Sequence, residues 1–152
     1  MDATKTSIYI DALIDSLNLE QCHPLTLEGI VKAVEDMTHW SISITKKVIK
    51  SDGMYFKDAA SRSNHIIINL GMPRTKELHV IFHELGHIVF GHPTLDAKDL
   101  LNITADEHPV LCRYKPEQSP KLEYEAESFA IRLSSMYRSS SNIVSDAIES
   151  VI

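Results

Sequence analysis

The segment from Arg74 to Phe90 constrains the fold of this chain more than any other. Apolar residues recur along it at helical spacing, which predicts an α-helix. They are Leu78, Phe82, Leu85 and Val89, with Ile81 and Ile88 beside them. A helix that is apolar around most of its circumference is stable only when other elements cover it. We therefore expect a central, buried helix that stops at Gly91.

Other patterns on both sides of this helix predict the elements that cover it. Helical spacing over residues 7–19, and again after a Thr26 N-cap, predicts two helices before residue 40. Alternating or β-branched residues over 41–49, 54–57 and 65–70 predict three short strands. A further helix is predicted over 122–137. The polar segment between Pro93 and Pro120 has no clear periodicity.

This order of elements predicts an α+β fold in one domain. We expect helices packed around a small antiparallel three-stranded sheet, because the three strands follow one another with short connections. The single domain spans residues 1–152, with a core at about 25–137 and a C-terminal tail over 139–152 that ends in a weak helix. No internal repeat or linker divides the chain.

Composition and charge exclude several classes of protein. With 43% hydrophobic and 24% charged residues, the 152-residue chain has the balance of a globular domain. Its formal net charge of −6 argues against direct nucleic-acid binding. No apolar run approaches the roughly 18 residues of a membrane helix, and the N-terminus does not resemble a signal peptide. Cys22 and Cys112 form no disulfide framework. We expect a cytoplasmic protein.

The central helix carries an HExxH motif formed by His83, Glu84 and His87. Two imidazoles four residues apart lie on one helical face, where both can bind one metal ion. Glu84 is then placed to accept a proton from the attacking water and to pass it to a leaving amine. The alternative is a buried helix with two histidines satisfied by hydrogen bonds. Burying two imidazoles and a carboxylate without a metal or close pairing is costly.

A catalytic zinc site takes a third protein ligand and keeps one position open. Among the residues near the motif, His92 is interpreted as a loop histidine and His79 as a helix histidine or a partner of the ligands. The stronger candidate is Glu123 in the downstream helix, with Glu127 as acceptor for the other ring nitrogen of one ligating histidine. Glu125 is expected to face solvent.

Small residues support a close approach of these two helices. Gly86 lies between the two histidines, and Ala126 and Ala130 lie beside the glutamates. A ligand set of two histidines and one glutamate favours zinc, with manganese as the alternative.

Three segments together resemble the ImmA/IrrE family of metallopeptidase domains. They are IIINLG, HELGH, and an E-x-x-A-x-x-F-A pattern at Glu123, Ala126, Phe129 and Ala130, and the likeness covers roughly residues 25–137. The resemblance implies a zincin-like fold with gluzincin ligation by His83, His87 and Glu123. It also implies an intracellular peptidase that acts on a helix-turn-helix repressor of a phage or mobile element. Glu127 stands where the family often has Asn or Asp.

The function predicted from these features is a zinc-dependent endopeptidase of narrow specificity that cleaves or inactivates such a repressor. We expect an edge strand formed by His65, Ile66, Ile67, Ile68 and Asn69 to align the substrate. Tyr114, His108 and His92 are the open choices for an oxyanion donor. The alternatives are a metal-stabilised antirepressor that acts by binding, and a different zinc hydrolase or toxin-like protease. The oligomeric state stays open.

Overall fold

Helices and a three-stranded sheet form an α+β fold in the computed structural model, which describes residues 3–22, 24–100 and 119–149. In chain order the elements are α1 (Ala3–Ser16), α2 (Leu27–Thr38), β1 (Ser41–Lys47), β2 (Gly53–Asp58), β3 (Ser63–Asn69), α3 (Arg74–Phe90), α4 (Ala97–Leu100) and α5 (Pro120–Glu149). A short 3-10 turn, Leu19–Gln21, follows α1. The predicted α+β class and the predicted helix over residues 74–90 are confirmed.

The sheet is mixed, so the prediction of an antiparallel sheet is wrong. Its strand order is β1-β3-β2. β3 runs parallel to β1, with Ser41 opposite Ser63, and antiparallel to β2, with Gly53 opposite Ile68. The physical reason is the apolar character of β3, whose Ile66 and Ile68 are fully buried. The most apolar strand takes the centre, where strands pair with it on both sides and α3 covers its inner face.

The central position of β3 also overturns the prediction of a substrate-aligning edge at residues 65–69. His65, Ile66, Ile67, Ile68 and Asn69 are all paired with residues of β1 and, up to Ile68, with residues of β2. A strand whose backbone groups are used on both sides cannot pair with a further strand. The edges of this sheet are β1 and β2.

Helix α3 lies between the sheet and α5 and makes its most extensive contacts with α5. Phe82 and Leu85 of α3 and Phe129 of α5 are almost fully buried in one hydrophobic core. The two helices approach closely at Gly86, because a Cβ added there would lie 2.9 Å from the carbonyl oxygen of Ala126. The small residues therefore have the packing role that the sequence predicts, and this contact sets how far α5 stands from the HExxH motif.

The two ends of the described chain extend the predicted core. Ile10, Ile14 and Leu17 of α1 join the same hydrophobic cluster, so the core begins before residue 25. Helix α5 continues through Ser139 to Glu149 with no break at the predicted start of the tail. Ser140 accepts a hydrogen bond from the backbone of Leu25 (2.8 Å). No helix in the described ranges combines the length and the apolar character needed to cross a membrane.

Candidate metal centre

Two histidines of α3 and one glutamate of α5 converge on a single point. His83 and His87 lie one turn apart, and their Nε2 atoms are 3.2 Å from each other. Glu123, in the first turn of α5, places Oε2 at 3.0 Å from Nε2 of His83 and Oε1 at 3.4 Å from Nε2 of His87. This brings together the three residues that the sequence suggests as metal ligands.

The distances within this triad fit a zinc ion. Ligand atoms bound at about 2.0–2.1 Å to a tetrahedral ion lie about 3.3 Å from one another. The two Nε2 atoms are 3.2 Å apart, and each lies near a different oxygen of Glu123, at 3.0 Å for His83 and 3.4 Å for His87, so all of these separations are close to that value. Two imidazole nitrogens and a carboxylate oxygen are also a donor set that zinc favours. The residues present therefore fit the ion.

The contacts around His83 favour a cation in the triad. Both of its ring nitrogens face carboxylate oxygens, Nδ1 towards Glu127 at 2.8 Å and Nε2 towards Glu123 at 3.0 Å. A neutral imidazole has only one N–H, so one nitrogen would direct its lone pair at an anion. A second proton on the ring would relieve His83 alone. A metal ion would satisfy His83 and His87 together, because both Nε2 atoms face the same carboxylate.

Glu127 accepts hydrogen bonds from two histidines of α3. Oε2 lies 2.8 Å from Nδ1 of His83, and Oε1 lies 2.7 Å from Nε2 of His79. Burial raises the pKa of Glu127, but the hydrogen bonds from His83 and His79 outweigh it and lower the pKa below its usual value. Glu127 thus stays an anion that fixes the ring of His83, and His79 belongs to the same network.

The structure contradicts the prediction that Glu125 faces solvent, and it places His92 in the loop after α3, as predicted, but buried. Glu125 is 6% exposed, not solvated, and its Oε1 lies 3.4 Å from Nε2 of His92. His92 is 7% exposed, and its Nδ1 lies 2.8 Å from Nδ1 of His87. A helix turns by about 200° over two residues, so Glu125 points to the face of α5 away from Glu123. The loop after α3, which contains His92, covers that face as well. Burial lowers the pKa of His92, against the opposing charge of Glu125.

Glu84 is buried between α3 and the start of β2, with 4% of its surface exposed. A Cβ at Gly53 would clash with Cγ1 of Val80 and would be in ordinary contact with Oε1 of Glu84 at 3.7 Å, so glycine permits the close approach of β2 to α3. Tyr55 of the same strand stacks on His87 with ring centres 6.0 Å apart. Burial, followed by the negative charge of Glu84, raises the pKa of Tyr55.

The sequence pattern does not identify Gly53 and Tyr55 as site residues. They lie beside Glu84 and His87 only because of the register of β2 in the sheet. A signal for His92 does exist in the sequence. Gly91 adopts a left-handed conformation (φ 70°) and stops α3, and the residue after such a glycine folds back on the last turn. His108 and Tyr114, proposed as oxyanion donors, lie outside the described residues.

The triad opens to solvent on one side. The side chain of His87 is 3% exposed, that of His83 is 15% exposed, and that of Glu123 is 34% exposed. A ligand can therefore approach from the Glu123 side, while the rings of Tyr55 and His92 lie against His87.

Comparison with known proteins does not identify the chain. No protein-family model matches it, and a search of curated proteins finds no match.

Proposed function

We propose that this chain is a zinc-dependent endopeptidase with a zincin-like active site of the ImmA/IrrE type. The observation that carries the proposal is the meeting of His83, His87 and Glu123 at distances that suit one zinc ion, with the buried carboxylate of Glu84 on the same helix. An ion held only for structure is normally closed off by four protein ligands. Among the described residues there are three, and the site has an open side.

Each residue of the site has a defined task. His83, His87 and Glu123 would hold zinc, which supplies a Lewis acid that polarises a peptide carbonyl and acidifies water. Glu84 accepts the proton of the attacking water and delivers it to the nitrogen of the leaving amine. Its burial excludes bulk water, which strengthens its interaction with the reacting atoms. Glu127 fixes His83 by accepting from its Nδ1.

The edge of β2 replaces β3 as the proposed aligning strand. This edge begins at Gly53, beside Glu84, where an extended peptide could add by backbone pairing. Farther along, the carbonyl of Tyr55 accepts from Thr94, and the N–H of Lys57 donates to Leu95. A substrate strand would therefore pair at the Gly53 end or displace residues 94 and 95.

The proposed substrate is a helix-turn-helix repressor of a phage or mobile element, inside the cell. Support for this class comes from the sequence resemblance carried by HELGH and by the Glu123–Ala130 pattern. The open, water-accessible side of the triad is compatible with a protein segment as substrate.

A Glu84→Gln variant tests the enzymatic proposal. The glutamine side chain keeps the size of glutamate but cannot accept the proton, so we expect full zinc content and a loss of repressor cleavage of about 10²–10⁴-fold. The matched control is Glu28→Gln at an exposed position of α2, which should cleave like the wild type. Zinc content is measured for the wild type and both variants, together with cleavage of the repressor that is encoded nearest to the gene for this chain. Full biological effect of the Glu84 variant would refute proteolysis and favour an antirepressor that acts by binding.

A further inference from the structure

We propose that Glu125 and His92 are positioning residues that set the tautomer and orientation of His87. The inference rests on the proposed metal site and adds to it a function for two buried residues that are not ligands. His92 touches His87 through Nδ1 at 2.8 Å, and Glu125 approaches the far side of His92 at 3.4 Å. Glu125 thus contacts His92, and His92 contacts His87, which is a proposed metal ligand.

The end of α3 explains how His92 reaches this place. The N–H of Gly91 donates to the carbonyl of Ile88, and the N–H of His92 donates to the carbonyl of His87 (2.9 Å). This pair of bonds is a Schellman cap, which turns the chain back over the last helical turn. The residue after the glycine then contacts the residue five positions earlier. That earlier residue is a proposed metal ligand.

Further contacts hold His92 rigidly in the cap. The ring of Phe90 stacks on it at 5.2 Å with an interplanar angle of 23°. The hydroxyl of Tyr55 donates to its carbonyl oxygen at 2.5 Å. Because Tyr55 of β2 binds the backbone of His92 and Phe90 packs on its ring, Nδ1 of His92 is held facing His87.

The buried carboxylate decides where the protons of His92 and His87 lie. A neutral histidine donates from one ring nitrogen and accepts at the other. Nε2 of His92 lies 3.4 Å from Oε1 of Glu125 and makes no hydrogen bond, but the negative charge beside it favours a proton on Nε2 and leaves Nδ1 as an acceptor. Nδ1 of His87 must then carry the proton and donate, which frees Nε2 of His87 to bind a metal. In the opposite arrangement the proton of His92 lies on Nδ1, so the lone pair of its Nε2 points at the carboxylate of Glu125. His87 then carries its proton on Nε2, the nitrogen that faces the triad.

The two proposed histidine ligands are therefore held by different means. His83 donates directly to the carboxylate of Glu127. His87 donates to a neutral histidine, and the carboxylate of Glu125 acts only through that ring. Groups that hold a ligating histidine in this way commonly change metal affinity by about 10–100-fold when they are removed.

The test measures zinc affinity by competition with a chromophoric chelator, together with urea unfolding of the metal-free protein. His92→Phe keeps an aromatic ring against Phe90 but has no acceptor, and Glu125→Met removes the carboxylate and keeps an apolar side chain of similar length. We expect both variants to bind zinc about 10–100-fold more weakly. His92→Asn, whose Oδ1 takes the place of Nδ1, should recover most of the affinity. Glu28→Gln should bind like the wild type.

The outcomes separate this inference from the proposed function. Wild-type affinity in folded His92→Phe and Glu125→Met would overturn the positioning role and leave the peptidase proposal intact. If His92→Phe fails to fold, Glu125→Met decides the question. A wild type that binds zinc but cleaves nothing would refute the peptidase while the affinity comparison still stands. A wild type that binds no zinc would overturn both.

Discussion

Replacing Gly86 by alanine tests the helix contact that sets the geometry of the site. The added methyl group would meet the carbonyl oxygen of Ala126 at 2.9 Å, its Cα at 3.1 Å and a ring carbon of Phe129 at 3.3 Å. Two of these three atoms belong to the backbone, so no side-chain rotation can relieve the contact. Helix α5 must move away from α3 by a few tenths of an ångström.

Two effects of opposite sign determine the stability of this variant. Alanine favours a helix interior over glycine by about 1 kcal/mol. Overpacking a filled contact costs about 1–3 kcal/mol. The expected net change is a loss of about 0–2 kcal/mol in the free energy of unfolding. Because Glu123 lies one turn before Ala126 on α5, we also expect zinc affinity to fall by about tenfold, as for other small changes in ligand orientation.

Urea unfolding of the metal-free protein and zinc competition measure the two expected effects. Gly29→Ala in α2 is the matched control, because its nearest neighbour would be the end of the Thr26 side chain at 3.2 Å and not backbone. That variant should keep most of its helix-propensity gain and bind zinc normally. If Gly86→Ala were also stabilised by about 1 kcal/mol and bound zinc like the wild type, the close approach of α3 and α5 would be wrong.

Two further predictions concern Glu77 near the start of α3 and Gly53 at the start of β2. Hydrogen bonds from Lys46 (3.0 Å) and then Arg74 (3.2 Å) lower the pKa of Glu77 below its ordinary 4.5. The ionised Glu77 therefore stabilises the fold above pH 4.5, and this contribution is lost as the pH falls through the lowered pKa. Urea unfolding of the metal-free protein from neutral to acid pH should therefore give Glu77→Gln a flatter profile, and an unchanged slope would refute this. Gly53→Ala should lose about 1–3 kcal/mol in the same assay, because its Cβ would clash with Cγ1 of Val80. Wild-type stability would contradict the contact.

Much of the fold could be predicted from local patterns. The central helix, its end at Gly91 and the Thr26 N-cap follow from helical spacing and from the chemistry of helix ends. Strand order could not be predicted in this way, because short connections are compatible both with a meander and with the observed insertion of β3 between β1 and β2. That choice depends on burying the isoleucines of β3 against α3.

The candidate site divides in the same way. Helical spacing alone places His83 beside His87 and places Glu123 and Glu127 on one face of α5. The roles of Glu125 and His92 depend on what lies opposite each side chain, which a single helix pattern does not contain. Glu125 looked like a solvated residue because its own helix offers it no partner, but the cap after α3 does.

The central claim is that one metal ion is held by His83, His87 and Glu123, and zinc occupancy tests it most directly. Wild type, Glu123→Gln and Glu125→Gln are dialysed against buffered free zinc, and zinc per chain is measured. The wild type should hold one zinc. Glu123→Gln replaces an anionic ligand with a weakly binding neutral amide, so its affinity should fall beyond the roughly 100-fold limit for residues that only support a ligand. Glu125→Gln should lose far less, because position 125 supplies no ligand atom and the glutamine oxygen still lies beside Nε2 of His92. Equal occupancy in the two variants would contradict the ligand set.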